Sequence, residues 1–245
     1  GSRDKKMYAI DLDKGEELWN FETGHQIRSS ATYQDGTLYF GSRDDNLYAL
    51  DISTQAPKWQ LETGGNVDSS PVVVDDVAYV GSDDNNLYAV DAETGEQLWQ
   101  FTTIDSIQGS PAVADGEVYA GGLDSMLYAL NSKTGEKRWE FKARGPVYSG
   151  PTVYAGLVLF GSAGGDFYAL DVETGEERWR FQSGSIIEGC AAVSGDRVMF
   201  GTRQGMLYGV DLGTGEQIWQ LKIGNVRLHR LPVVHGSSHL ADHQT

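Results

Sequence analysis

The stretch LYAVDAETGEQLWQF, residues 87–101, returns with small edits every 40 residues along a chain of 245. Trp19, Trp59, Trp99, Trp139, Trp179 and Trp219 share one position of that period, and Tyr8, Tyr48, Tyr88, Tyr128, Tyr168 and Tyr208 share another. A single repeat position thus accounts for all 6 tryptophans, and the period, rather than the length, sets the number of structural units. Around the quoted stretch, SSPVVV (69–74), VAYVGS (77–82), NLYAVD (86–91) and QLWQFTT (97–103) are short, rich in β-branched and aromatic residues, and bounded by Gly, Asp and Asn. Such runs read as four strands per unit. No helical periodicity survives the breaks between them.

Four antiparallel strands with a period of 40 predict an all-β fold, a β-propeller of six four-stranded repeat units. One blade could not bury its apolar face alone, so each must pack on the next. DAETGEQLW carries the turn between the third and fourth strands. There Asp91 can accept backbone amides onward, and Gly95 can take a positive φ that a side chain resists. Asp11, Asp51, Asp171 and Asp211 repeat the first role with Asn131 substituting, and Gly15, Gly135, Gly175 and Gly215 repeat the second. Unit two departs, with Gln55 in the glycine position and Pro57 after it, which suits an outer edge strand that can spare an N–H.

The pattern Ala-x-Asp-x-x-Thr-Gly-x-x-x-Trp, here Ala89, Asp91, Thr94, Gly95, Trp99 and again Ala169, Asp171, Thr174, Gly175, Trp179, resembles the tryptophan-docking motif of the pyrroloquinoline quinone (PQQ) repeat propellers. The resemblance covers all six units and implies that each Trp packs between adjacent blades. It also implies two classes of function. Quinoprotein dehydrogenases of the family are longer, usually eight-bladed, and use PQQ with calcium or a lanthanide, a catalytic Asp and often a disulfide between neighbouring cysteines. Binding members resemble the assembly lipoprotein of the outer-membrane barrel-insertion machinery, or sensor domains of some kinases. With one cysteine the disulfide is impossible, and no Glu, Asn and Asp set stands out for the metal. The expectation is a non-catalytic binding or protein-interaction scaffold without a resident cofactor. The alternative is an incomplete part of a PQQ-dependent dehydrogenase carrying PQQ with calcium. A periplasmic or extracellular setting follows from the resemblance alone.

A formal charge of −16 repels a phosphate backbone, so nucleic acid is not expected as a partner. No apolar run approaches membrane-spanning length. The lone cysteine, Cys190, occupies the position of Ser30, Ser70 and Ser110 and reads as a small buried residue. The opening GSRD recurs at 41–44, so the first residues read as repeat sequence and a longer parent chain is expected.

With strands named A to D from the axis outward, complete blades fall at 27–63, 67–103, 107–143, 147–183 and 187–223. The leftover strands at 6–22 could pair with residues 226–234 to close a sixth blade, which would remove exposed edges; the polar SSHLA of that last unit argues for a fragment of a larger ring instead. The propeller domain is therefore set at 1–234, with 235–245 a divergent tail expected to be disordered, and a monomer is expected. Three of its residues, His235, His239 and His243, have spacing that would bind a metal on a helix, but a disordered end is the simpler reading.

A–B and C–D turns are nearly constant, as turn geometry requires, whereas D–A loops and B–C turns vary. One D–A position reads Arg28, Asp68, Gln108, Tyr148, Glu188, Leu228, and one B–C position reads Arg3, Arg43, Asp83, Leu123, Ala163, Arg203. Variable loops on a rigid frame are where binding residues sit, so this face is the expected site for a protein partner or a small anionic ligand. Ring closure would line up Arg203, Arg3, Arg227, Arg230, Arg28 and Arg43 as a basic sector suited to carboxylate or phosphate. The competing reading pairs these arginines with local carboxylates such as Asp4, Asp44 and Glu188. The Asp-rich turns at 43–46 and 83–86 lack the spaced ligands of a calcium loop and read as Asx turns. No catalytic motif of hydrolases or phosphate-binding enzymes is present.

Overall fold

The computed structural model describes residues 1–224. Every regular element among them is a β-strand, and no helix there is long and apolar enough to cross a membrane. The first two strands, β1 (Lys6–Ile10) and β2 (Glu17–Glu22), form a two-stranded antiparallel sheet. Five four-stranded antiparallel sheets follow in simple meander order. Blade one contains Thr32–Gln34, Thr37–Gly41, Asn46–Asp51 and Ala56–Glu62, and blade two Val72–Val74, Val77–Gly81, Asn86–Asp91 and Gln97–Thr102. Blade three contains Ala112–Ala114, Glu117–Gly121, Met126–Asn131 and Lys137–Lys142. Thr152–Tyr154, Leu157–Gly161, Asp166–Asp171 and Glu177–Gln182 make blade four, and Ala192–Ser194, Arg197–Gly201, Met206–Asp211 and Gln217–Lys222 make blade five. The expected half-blade and five full blades are thus present; pairing of residues 226–234 into a sixth lies outside the described residues, as do the tail at 235–245, its histidines and Arg230.

The core lies between blades. Tyr39, Leu47 and Ala49 of blade one pack with Val67, Ala78, Val80, Tyr88 and Val90 of blade two, and the same positions meet at each later junction. Every blade thus has a leading face turned to the next blade and a trailing face turned to the one before. At the axis the repeat is stitched by side chains one period apart. The Ser30 amide donates to Ser70 Oγ (2.8 Å), and the Ser70 amide to Ser110 Oγ (3.2 Å). Cys190 occupies this position in blade five and, like Ser70 and Ser110, is half-buried rather than fully buried.

The tryptophans dock in register. The indole N–H of Trp59, Trp99, Trp139 and Trp179 donates to the carbonyl of Ala92, Ser132, Val172 and Leu212, each 33 residues on and in the C–D turn of the next blade, at 2.8–3.1 Å. Tyr39 and Tyr79 give their hydroxyls to two of the same carbonyls, Ala92 and Ser132, filling both acceptor sites. The turn glycine lies flat against the ring: a Cβ on Gly95, Gly135, Gly175 or Gly215 would meet Trp59, Trp99, Trp139 or Trp179 at 2.5–2.8 Å. These glycines have φ between +72° and +77°, so both the backbone and the close approach require the residue. The first junction differs. Gln55 adopts φ 58° in the glycine position, and among the described residues the indole of Trp19 makes no equivalent bond, although the ring packs beside Met7, Ile27 and Tyr48.

The turn itself is held by its first residue. Asp91 Oδ1 accepts the amides of Glu93 and Thr94 and the Thr94 hydroxyl, and Asn131 Oδ1 does the same for Lys133 and Thr134.

Two outcomes follow for stability. Gly116→Ala, at φ +79° with open space around it, should cost about 1 kcal/mol of left-handed backbone strain. Gly95→Ala, at φ +77° against Trp59, should cost a further ~1–3 kcal/mol of overpacking in urea unfolding; equal costs would disprove the docking role. Hydrogen bonds from the Arg178 side chain and the Thr174 amide hold the Asp171 carboxyl at about 2. Its folded-state pKa is therefore below the ordinary ~3.9, so its contribution is present above about pH 4 and is lost as pH falls through about 2. Asp171→Asn, a replacement already made at Asn131, should give a flatter stability profile in that acid window.

Candidate partner-binding face

The constant frame of this face is built from backbone bonds. Amides of Arg43, Asp83, Leu123, Ala163 and Arg203, the first variable B–C residues, donate to carbonyls of Gln26, Asn66, Ser106, Pro146 and Ile186 in the D–A loop of their own blade at 2.8–2.9 Å. Amides of Val67, Ile107, Val147 and Ile187 donate in turn to Ser42, Ser82, Gly122 and Ser162 of the preceding blade at 3.0–3.2 Å. Those four apolar residues press on Gly41, Gly81, Gly121 and Gly161, where a Cβ would collide with their side chains.

Side chains lock the same loops. Asp44 accepts the Tyr48 hydroxyl (2.8 Å) and the Gly24 amide (2.7 Å), and Asp84 accepts those of Tyr88 and Gly64 (both 2.7 Å). Burial, and then the adjacent carboxylate, pushes the Tyr48 and Tyr88 phenols up. The Asp-rich turns at 43–46 and 83–86 are therefore Asx-type turns whose carboxylates hold the blade together. Unit four lacks this Asp at Gly164. Its Tyr168 hydroxyl accepts the Arg144 amide (3.0 Å) and lies 3.3 Å from the buried Asp166.

The variable side chains interact across blades. Arg43 grips Asp68 with a two-pronged fork, Nε to Oδ1 at 2.9 Å and Nη2 to Oδ2 at 2.7 Å. Asp68 is only 7% exposed, and Arg28 Nη1 stands 3.9 Å from the same carboxylate. Asp83 accepts Asn66 Nδ2 (3.0 Å) and Gln108 Nε2 (2.9 Å), while Arg203 Nη2 lies 3.3 Å from Glu188 Oε1. Tyr148 is half-buried and Arg3 exposed.

Of the carboxylates expected to neutralise the arginines, only Glu188 does so. Asp44 is taken by Tyr48, and Asp4 by Tyr8; Asp68, itself expected as a binding residue, serves both Arg28 and Arg43. The arginine sector is consequently less basic than its sequence. The signal for this was available in the two variable columns read with an offset of one blade: Arg43 faces Asp68 and Asp83 faces Gln108, each 25 residues apart. Leu123 and Tyr148 hold the corresponding offset and form the uncharged part of the face.

A constant frame of docked four-stranded blades that carries one variable loop face defines a repeat propeller of the PQQ-like class. The sequence family described as outer membrane protein assembly factor BamB matches residues 3–107 and 102–241. The chain belongs to this PQQ-like repeat family. No curated protein matches the sequence. Among solved structures, BamB from Moraxella catarrhalis superposes with a TM-score of 0.81 at 22% identity, covering 95% of this chain and 72% of that one. A computationally designed protein, Ika8, superposes with a TM-score of 0.85 at 18% identity, covering 95% and 73%. At such identities the likeness is one of fold.

Removing Arg43 takes a two-pronged donor away from the buried Asp68, with Arg28 standing 3.9 Å off. Arg43→Ala should therefore lower the unfolding free energy by about 2 kcal/mol, and Arg28→Ala by no more than about 0.5 kcal/mol, both read from urea denaturation midpoints. Equal small effects would remove Arg43 from the frame and return it to the set of free binding side chains.

Proposed function

We propose that this chain is a non-catalytic scaffold that binds a protein partner through its D–A and B–C loop face, in a periplasmic setting. The observation that carries the reading is the contrast between the two faces. C–D turns repeat one Asp-capped, Trp-docked geometry, whereas the loop face combines an ionic cluster around Asp68 with the uncharged Leu123 and Tyr148. Rigid frames with variable loops suit recognition, and an aromatic residue flanked by charge is the composition of an interface centre. The family's description as an outer membrane protein assembly factor suggests a protein component of such an assembly as the partner. Arg28 and Arg3 would meet acidic residues of that partner, and Tyr148 an apolar one.

The test places a photo-reactive residue at Arg28, Asp83 or Tyr148, and as controls at Glu93 or Glu136 in the C–D turns, in cells expressing the chain. Adducts to one protein from the loop face alone are expected. With that protein in hand, Tyr148→Ala should weaken binding about tenfold, or about 1.4 kcal/mol. Adducts from both faces alike, or from neither, would overturn the assignment.

The dehydrogenase reading draws less support from the residues. The chain has one cysteine, and among the described residues no group of three or more His, Cys, Asp or Glu is placed to hold calcium. A saturable change in tryptophan fluorescence on adding PQQ with calcium would nonetheless favour it over the scaffold.

A further inference from the structure

The outer edge of each blade is strand D, whose second side pairs with no strand among the described residues. Such an edge is a template for another chain, and charge or proline along it blocks the pairing. Blade one carries Pro57 and Lys58 there, blade three Arg138 and Lys142, and blade four Arg178 and Arg180. Strand D of blade two, Gln97–Thr102, has neither a charge nor a proline. Its outward side chains form a stripe with apolar ends: Leu98 is 49% exposed and Ile104, just past the strand, 84%, with exposed Gln100 and Thr102 between them. Ile104 takes a place held by Gly24, Gly64 and Gly184 in other units. The backbone of this edge is available too. Thr103 donates its amide inward to the Asn85 carbonyl at 2.8 Å, and Phe101 is registered with Leu87. The alternation of an antiparallel ladder therefore turns the N–H and C=O of Gln100 and Thr102 outward.

We propose that this edge receives an extended segment of the partner as a fifth strand of blade two. The inference rests on the scaffold reading above for the existence of that partner. Outward amides and carbonyls in register are satisfied together by another extended backbone, and the stripe from Leu98 to Ile104 spans about 20 Å, the length of about six strand residues. The segment is uncharged where it lies on the strand and sets apolar side chains over Leu98 and Ile104, because a charge placed there would lose water and gain no counter-charge. A second copy of this chain fits less well, since two molecules of net charge −16 repel each other. The strand also runs directly into the loop face: the Ile104 amide donates to Asp124 Oδ2 (3.3 Å), beside Leu123 in the B–C turn of blade three. One partner thus reaches the uncharged part of that face and the edge of blade two together.

Photo-reactive residues at Leu98 and Thr102, with Arg138 and Arg178 as controls on the edges of blades three and four, test this in cells beside one at Tyr148. Leu98, Thr102 and Tyr148 should give adducts to the same protein, and the controls none. With that protein purified, Gln100→Pro, which removes an outward N–H, should weaken binding about tenfold, whereas Gln100→Ala, which keeps it, should bind as the unaltered chain does. Leu98→Arg combined with Thr102→Lys copies the edge that blade three carries at Arg138 and Lys142; it should weaken binding as much as the proline does, at an unchanged melting temperature. Adducts from Tyr148 without any from Leu98 or Thr102 would overturn strand addition and leave the scaffold reading standing, and adducts from no position would overturn both. Adducts to a second copy of the chain, or full binding by the Leu98→Arg, Thr102→Lys variant, would also overturn the proposal.

Discussion

The structure depends on one hydrogen bond repeated around the axis, from an indole N–H to the carbonyl of a turn in the next blade. That bond can form only if the turn presents its carbonyl outward and bares its backbone to the ring. The first condition is met by Asp or Asn capping the turn, and the second by glycine at positive φ. A four-stranded sheet of this size cannot bury both faces by itself, so the junction is what turns marginal units into a stable array. Energy in such an array is local, each blade contributing through its two neighbours.

The loop face obeys a second constraint. Its side chains vary, yet the backbone beneath them is bonded within the blade and to the preceding blade at every repeat. Variation is therefore restricted to side chains, and at two places it is coupled between blades: Arg43 is matched by Asp68, and Asp83 by Gln108. Burial makes the coupling strong at Asp68, where an uncompensated carboxylate would be costly. Much of the charge on this face is consequently spent inside the protein, and the groups left to meet a partner are fewer than their number in the sequence suggests.

How much of this could be read from residues alone differs between fold and site. The 40-residue period, the spacing of Trp and Tyr and the turn chemistry of Asp, Thr and Gly decided the blades, their strand order and the face on which variation collects, because each of these is a local preference repeated until it is unambiguous. The partners of Arg43 and Asp44 were missed in that reading. Asp44 and Asp68 are both acids on variable loops; Asp44 meets Tyr48 four residues on in its own blade, whereas only the packing of blade on blade puts Arg43 beside Asp68. Likewise, Gln55 stands in a turn position that glycine holds in the other units, and tertiary structure alone shows that it adopts the same positive φ, 58°. Sequence determines what each unit can offer to a neighbour; whether a neighbour is there to accept it depends on the arrangement of units in space.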